Sequence, residues 1–313
     1  MASGLSIGQL AAVAAACLPI PAEGATQPDV QPPSETAQAN PVQLPPRDFP
    51  LPPPEWKVSL SPRLWWTSPS GELKLPAASG TGPGAFTDSG DSVDISQLNL
   101  DTPRLSPAGE LHIATGRWRF AFSAGAFSLD REATIADSAF RAGSVEISPG
   151  DQMSVRFDYS VFEATAGYQV YSWDFDSASR SPANAADTGM RLIALGGVRL
   201  HDVDIDLRSR DDGSSASTDQ TFLEPIGGIR AEFALTQQFA IELQATGGAW
   251  IESDRSVYSL DLCVVVRWMP TPGIGVEFGW RQIAFSLSDG DGAGEFEYFG
   301  AIAGVFAGVT IRF

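Results

Sequence analysis

Apolar and polar residues alternate along most of the chain after residue 55, with the period of two that is typical of β-strands. In the first such segment Trp56, Leu60 and Leu64 share one parity, whereas Lys57 and Arg63 share the other. The pattern predicts an all-β protein, an antiparallel up-and-down barrel of about ten strands, with about 8 or 12 as alternatives. The predicted strands cover residues 55–68, 104–115, 117–129, 152–171, 189–208, 221–235, 239–251, 257–269, 274–287 and 296–313.

The fourth predicted strand changes its parity partway along. Val155 and Phe157 are at odd positions, whereas Ala164 and Tyr168 are at even ones. A β-bulge near Val161 and Phe162 would bring both halves onto one face. Elsewhere in the barrel region, we expect only a short turn of helix at 94–98.

Alternation alone does not separate a transmembrane barrel from a soluble ligand-binding barrel, but strand length and connections favour the membrane. Each predicted strand has more than about ten residues, whereas strands of soluble proteins usually have about 5–6. Short and long connections alternate, as expected when short turns form one rim and long loops the other. The short connections lie near Gly116, at 236–238 and at 269–273. The long ones lie at 69–103, 130–151 and 209–220, and 172–188 is an exception on the short-turn side.

Aromatic residues of the apolar parity recur next to the predicted short turns. In a membrane barrel such residues form a girdle at the interface with water. A soluble barrel has no reason to gather them at one level. The predicted girdle consists of Trp56, Trp118, Phe239, Trp268 and Phe313.

Charged residues occupy the opposite parity, which faces the lumen in a membrane barrel. Only Lys57 and Lys74 are lysines among the 20 basic residues, so arginine dominates. Arginine keeps its charge when partly desolvated and pairs bidentately with carboxylates. We therefore expect ion pairs to fill a narrow lumen. The predicted lumen charges are Arg63, Arg156, Arg191, Arg199, Arg230, Arg267, Arg281, Glu232, Glu242 and Glu277.

The C-terminal sequence Gly308-Val309-Thr310-Ile311-Arg312-Phe313 resembles the last strand of small bacterial outer-membrane β-barrel proteins, which alternates apolar residues and ends in an aromatic one. The stretch 222–230 and Gly279-Trp280-Arg281 are also similar to strands of that family, and the resemblance covers about 55–313. It implies that Val309, Ile311 and Phe313 form the assembly signal. The implied partners are periplasmic chaperones, the barrel-assembly machinery and outer-membrane lipid. The resemblance implies no substrate.

The N-terminal part predicts export to the bacterial outer membrane. Residues 1–25 have the short apolar stretch of a signal peptide, although no Lys or Arg precedes it. Cys17 lies in a weak lipoprotein-like sequence, so a lipid anchor is the alternative. Residues 26–54 are dense in proline and predict an extended linker. Residues 55–313 then form the barrel.

Charge and cysteine content exclude several functions. The formal net charge of −18 argues against binding nucleic acid or binding anionic lipid through a basic patch. Cys263 would be the single thiol after export, and we expect it to be a buried small residue. The sequence Asp289-Gly290-Asp291-Gly292 resembles a calcium loop, but Gly300 occupies the position of the required Glu. We therefore predict no metal and no cofactor.

The two histidines limit any acid–base chemistry. His112 lies near the short-turn rim and is expected to be a packed lumen residue. His201 and Asp202 lie near the outer end of a strand, so an outer-membrane hydrolase, a protease or a lipid-acting enzyme, is the alternative hypothesis. The serines available to it are Ser209, Ser214 and Ser215. The main hypothesis is a non-enzymatic barrel with a structural or narrow-channel role and no identifiable substrate. The oligomeric state is left open.

Overall fold

The computed structural model describes residues 56–77, 86, 88–134, 139–175 and 188–313. The predicted signal peptide and proline-rich linker lie outside these residues. The strands are β1 (Trp56–Lys74), β2 (Val93–Asp94), β3 (Arg104–Thr115), β4 (Trp118–Thr134), β5 (Phe140–Ala142), β6 (Val145–Ile147), β7 (Gln152–Asp174), β8 (Gly189–Ser209), β9 (Ser215–Ala234), β10 (Phe239–Glu252), β11 (Arg255–Trp268), β12 (Ile274–Asp289) and β13 (Phe296–Arg312). Within the described ranges no helix is long and apolar enough to cross a membrane.

Ten of these strands form a closed antiparallel ring. They follow the order β1-β3-β4-β7-β8-β9-β10-β11-β12-β13, and β13 pairs back with β1. The predicted all-β barrel of about ten strands is therefore confirmed. The bounds differ most at β9, which begins at Ser215 rather than at 221, and at β1, which continues to Lys74. Strand β2 adds to the end of β1, and β5 pairs with β6 in a small separate sheet.

The strands are staggered around the ring. The row of paired residues that starts at Trp56 passes through Tyr168 and Ala245 and returns to β1 at Ser68, twelve positions further along. For a ring of ten strands this stagger corresponds to a strand tilt of about 40°. A strand therefore needs more residues to span a given height than an upright strand would.

The two rims differ in their connections. Gly116 and Arg117 join β3 to β4 at the lower rim, where β1 begins and β13 ends, whereas 75–103 and 135–151 are long connections at the upper rim. The connection between β7 and β8 is the long exception at the lower rim. At the upper rim a two-residue turn joins β10 to β11, with Ser253 in the left-handed region at a φ of 52°. Strands β10 and β11 have 14 residues each, whereas β7 has 23, so the barrel wall is lower on that side.

Along the lower part of each strand the apolar side chains face outward. Leu64, Phe162, Leu223 and Phe278 are more than half exposed. The same strands point charged side chains such as Arg199 inward, where they are buried. This arrangement is inside-out relative to a soluble barrel and places the apolar residues against lipid.

Along the upper part of several strands the apolar residues face inward instead. Strand β7 pairs with β8 without interruption from Met153 to Gln169, and the register shifts only between Gln169 and Tyr171. The bulge predicted near Val161 and Phe162 is therefore wrong. Phe157 is buried inside the barrel and Phe162 is exposed outside, so an unbroken strand transfers its apolar side chains from one surface to the other. This reversal indicates the level at which the strand leaves the lipid.

The upper lumen is filled by an apolar core. Tyr298 packs edge-on against Phe157 and Phe285, with ring centroids 5.8 Å and 4.9 Å apart. Apolar residues of the upper loops continue this core over the mouth of the barrel. These loop residues are Leu75, Ile95, Leu98, Leu100, Val145 and Ile147. Ile95–Leu98 forms a short 3-10 helix, in agreement with the helical turn predicted at 94–98.

Candidate functional site

A charged network crosses the lumen below the apolar core, and Arg199 lies at its centre. Its guanidinium is fully buried and contacts Glu163 at 2.8 Å, Asp261 at 3.2 Å and Glu224 at 3.4 Å. It also donates hydrogen bonds to the hydroxyls of Thr246 and Ser259, at 2.7 Å and 2.5 Å. These side chains come from five consecutive strands, β7 to β11. One arginine therefore links half of the ring across its interior.

Arg281 extends this group to β12. It contacts Asp261 at 2.6 Å and Glu163 at 3.3 Å, the same two carboxylates that Arg199 binds. Glu163 Oε2 and Asp261 Oδ2 thus each accept from both guanidiniums. Charges buried at this depth are stable only when such pairing compensates for their lost hydration.

A second charged group lies nearer the lower rim. Arg63 bridges Glu110 at 2.6 Å and Glu277 at 2.5 Å. Arg230 contacts Glu110 at 3.4 Å and Glu242 at 3.3 Å, which ties β9 and β10 to β3. The remaining members are His112, which contacts Glu110, and Arg267, which contacts Glu242 and Glu277.

Little space remains between these side chains. One cavity lies between the two charged groups and is lined by Arg63, Glu163 and Arg281, among others, and it has a volume of about 10 Å³. A second lumen cavity, beside Trp65, has a similar volume of about 10 Å³. A cavity needs about 10–15 Å³ to hold one water molecule. The charged layer therefore leaves room in these cavities for no solute larger than water.

Most of the predicted lumen charges point into this interior, with three departures. Arg63, Arg199, Arg230, Glu242 and Glu277 are buried inside, and Arg267 and Arg281 are mostly covered. Arg191 and Glu232 lie at the lower rim, with their charged atoms 3.9 Å apart and still partly exposed.

The predicted lumen position of Arg156 is wrong, because its side chain lies on the outer surface. There its Nε donates to Asp158 at 2.7 Å. The assumed bulge reversed the facing of this segment, and the error followed from it. Glu110 and Asp261 belong to the network although they are not in the predicted set. Both carry lumen parity, so the alternation of β3 and β11 could have identified them.

His201 and Asp202 are not brought together. His201 is buried in the lumen, with Nδ1 2.8 Å from the Tyr159 hydroxyl and Nε2 3.2 Å from Glu224. Asp202 lies on the outer side of the same strand and accepts a hydrogen bond from Thr221 at 2.8 Å. Adjacent residues of a strand point to opposite faces, so the two side chains cannot share one substrate.

The serines considered for the hydrolase hypothesis lie at the upper end of the barrel. Ser214 is in the loop between β8 and β9, where its hydroxyl donates to Asp212 at 2.8 Å. Hydrogen bonds from the Ser214 amide and hydroxyl lower the pKa of Asp212. Ser209 is the last residue of β8, eight positions above His201. None of these contacts joins a serine to the histidine.

The two remaining candidate residues, His112 and Cys263, contact other side chains of the barrel interior. The ring of His112 lies 3.0 Å from a nitrogen of Arg230 within the lower charged group. Cys263 is a free thiol that packs against the buried core. Among the described residues, no group of three or more His, Cys, Asp or Glu side chains is arranged to hold a metal ion.

The predicted girdle residues Trp56, Trp118, Phe239, Trp268 and Phe313 all lie at the lower rim with exposed side chains. Phe239 and Trp268 stack with centroids 6.2 Å apart. Of the predicted assembly signal, Val309 and Phe313 are exposed on the outer surface and Ile311 is half-buried. The Phe313 amide donates to the carbonyl of Val58 at 2.9 Å, which fixes the end of the chain to β1.

A closed antiparallel ring with an apolar exterior and a charged interior defines the class of transmembrane β-barrels. Three bacterial proteins of known structure are similar to this chain at low sequence identity. The outer membrane protease OmpT of Escherichia coli is 11% identical, with 82% of this chain and 97% of that chain covered and a TM-score of 0.46. Neisserial surface protein A is 14% identical, with 82% and 97% covered and a TM-score of 0.29. The attachment invasion locus protein Ail of Yersinia pestis is 11% identical, with 83% and 99% covered and a TM-score of 0.32.

No protein-family model and no curated protein matches the sequence.

Proposed function

We propose that this protein is a non-enzymatic structural barrel of the bacterial outer membrane, exported by its N-terminal segment and closed to ions and solutes. The observation that carries the proposal is the filling of the lumen at two successive levels. The lower level is the charged network around Arg199 and Arg230, and the upper level is the aromatic core around Tyr298. An ion crossing the barrel would have to displace both.

The two levels resist passage for different physical reasons. The charged layer is cross-linked by ion pairs, and opening it would leave buried carboxylates without partners. The core above it is close-packed and apolar, so hydrated ions gain nothing on entering it. Porins of about 16–18 strands leave an aqueous channel, whereas a ring near eight strands is filled by its own side chains.

Conductance in planar lipid bilayers tests the proposal. The purified barrel is expected to give small or no conductance under conditions in which a large porin gives steady channels. Large, steady channels formed by the parent protein would contradict a closed structural barrel.

A pair of variants locates the seal. Arg281→Ala combined with Phe157→Ala shortens one side chain in each level and is expected to raise the conductance above that of the parent protein. The matched control is Val198→Ala with Phe162→Ala, which shortens two exposed residues on the outer surface of the same region. If both pairs left the conductance unchanged, the seal would lie elsewhere, and if both raised it equally, the effect would be general loosening.

A further inference from the structure

The ring of hydrogen bonds is interrupted between β3 and β4. These strands pair from Thr115 and Trp118 up to Ala108 and Gly125, and there the pairing stops. Strand β3 nevertheless continues to Arg104, paired only with β1, and β4 continues to Thr134, paired only with β7. Within the described residues, two strand edges therefore face each other without a ladder between them.

Pro107 accounts for the position of the split. It has no backbone N–H, so it cannot donate to a ladder with β4, and pairing ends at its neighbour Ala108. Prolines in sheets are found where an edge is open, and this one lies at the start of such an edge.

The split begins at the depth of the lipid. Leu105 on β3 is about half exposed, and its partner Trp66 on β1 is also exposed on the outer surface. In hydrocarbon, every backbone polar group requires a partner within the protein or from a molecule bound to it. The wall of the barrel is therefore open at this level, because no ladder joins β3 to β4 above Ala108 and Gly125.

The split opens into an external groove with a volume of about 340 Å³. This volume lies within the range of about 300–1,000 Å³ that is typical of small-molecule sites. Leu105, Pro107 and Ala126 form its apolar part at the level of the lipid. Ser128 and the carboxylates of Asp202 and Asp204 line its polar part, toward the upper rim.

The polar part of the groove favours a positively charged donor. Asp202 already accepts from Thr221, and Asp158 is paired with Arg156, but within the described residues no hydrogen bond reaches the Asp204 carboxylate. In the pairing register Asp204 lies directly between Asp158 and Asp219. Carboxylates only accept hydrogen bonds, so a head group with N–H donors and a positive charge complements them. Among the described residues, Arg104 is the one cation that lines the groove, and it lies on the opposite wall.

We propose that the groove between β3 and β4 binds a cationic amphiphile with one hydrocarbon chain and an ammonium head. The chain lies along Leu105, Pro107 and Ala126, where it fills the apolar part of the groove. The ammonium group lies next to Asp202 and Asp204. The proposal is independent of whether the lumen conducts, because the groove is on the outer surface.

Isothermal titration of the full protein in phosphatidylcholine nanodiscs tests the proposal. The probes are decylammonium, decanol and decanoate, which share a chain length and differ in head-group charge, and the heats of empty nanodiscs are subtracted. Saturable binding is expected for decylammonium at about one molecule per chain. Decanol is expected to bind more weakly, and decanoate is expected to show no saturable binding.

Two variants separate the contributions of the chain and the head. Ala126→Trp fills the apolar part and is expected to abolish saturable binding. The double variant Asp202→Asn with Asp204→Asn is expected to weaken binding about three- to tenfold, as for the loss of exposed ion pairs. The matched controls are Ala166→Trp, on the outer surface of β7, and Glu252→Gln, at the upper end of β10. Both should bind as the parent protein does, and heat-modifiable mobility checks the folding of every variant.

Several results would overturn the proposal. These are the absence of saturable heat with decylammonium, equal affinity for decanoate, and undiminished binding by Ala126→Trp. Undiminished binding by the double asparagine variant would refute the assignment of the head group to these carboxylates.

Discussion

Arg199 illustrates what a single side chain does inside this barrel. Its guanidinium has no contact with water and lies between Glu163, Glu224 and Asp261. Burying such a charge costs several kcal/mol, and only its pairing with carboxylates and hydroxyls offsets that cost. The planar, five-donor group of arginine meets this requirement better than the point charge of lysine.

We expect Arg199→Met to lower the free energy of unfolding by about 3–5 kcal/mol, because it leaves buried carboxylates without a partner. The free energy of unfolding of Arg199→Lys should lie between that of Arg199→Met and that of the parent protein. Urea unfolding in phospholipid vesicles measures the difference. Arg191→Met is the matched control, since Arg191 is partly exposed at the rim, and it should cost less than about 1 kcal/mol. Equal losses at the two positions would mean that the buried network contributes no more than a surface pair.

Val264 and Val265 test the facing of one strand with adjacent residues. Val264 is 38% exposed on the outer surface, whereas Val265 is 2% exposed inside the barrel. Val264→Arg should cost about 2–4 kcal/mol, because it places a charge in the hydrocarbon. Val265→Thr should cost less, since it adds no charge and its cross-strand neighbour is the polar Glu242. Urea unfolding in phospholipid vesicles measures the cost of each change. Similar losses in the free energy of unfolding at both positions would show that the assigned facing is wrong.

At the scale of the element, β13 closes the ring. Ile311 is paired with Leu60 of β1 on one side and with Ile274 of β12 on the other. No other strand can join β1 to β12, so a barrel without correctly placed β13 retains two open edges. Two whole open edges in hydrocarbon would leave many backbone groups unpaired, each at a cost of several kcal/mol.

We expect deletion of Phe313, and Phe313→Asp, to reduce the fraction of chain that inserts correctly. The residue is 77% exposed at the end of β13 and stabilises little of the interior, so its loss should affect assembly more than stability. Heat-modifiable mobility of membrane fractions measures insertion. Phe299→Ser, at the upper end of the same strand, is the control and should insert normally. Normal insertion of both Phe313 variants would contradict an assembly role.

Strand positions could be predicted from the sequence because alternation survives wherever a strand separates two unlike media. The start of β8 at Gly189 and of β12 at Ile274 coincide with the predicted bounds. The facing of the upper part of β7 could not be predicted in the same way. Phe157 and Phe162 belong to one unbroken strand, but the first is buried in a core and the second faces lipid. Residue parity assigns one face per medium only while a strand stays in one medium, so in the sequence this change resembles a bulge.

At the scale of the whole molecule, the sequence indicates the closed barrel and much of its charged interior, but neither the apolar core nor the outer groove. The charged residues are found by parity alone, as Arg63 and Glu277 show. The core requires knowing that β1, β7 and β12 rise beyond the membrane and that loop residues such as Leu98 cover them. The groove lies where the ladder between β3 and β4 ends. Pro107 accounts for that position in the structure, but its place in the sequence alone does not predict that the ladder ends there.

The apolar core of the upper lumen also gives this barrel an unusual response to temperature. Unfolding exposes Phe157, Tyr298 and their neighbours to water, and newly exposed apolar surface raises the heat capacity. The ion pairs below do not add to this increase in heat capacity, because exposure of polar groups lowers the heat capacity. The upper half therefore contributes a stabilisation that weakens on cooling, as the core of a soluble domain does. A barrel with a wholly polar lumen lacks this contribution from its interior. The heat-capacity change on unfolding of this protein therefore combines that of a membrane barrel with that of a globular domain.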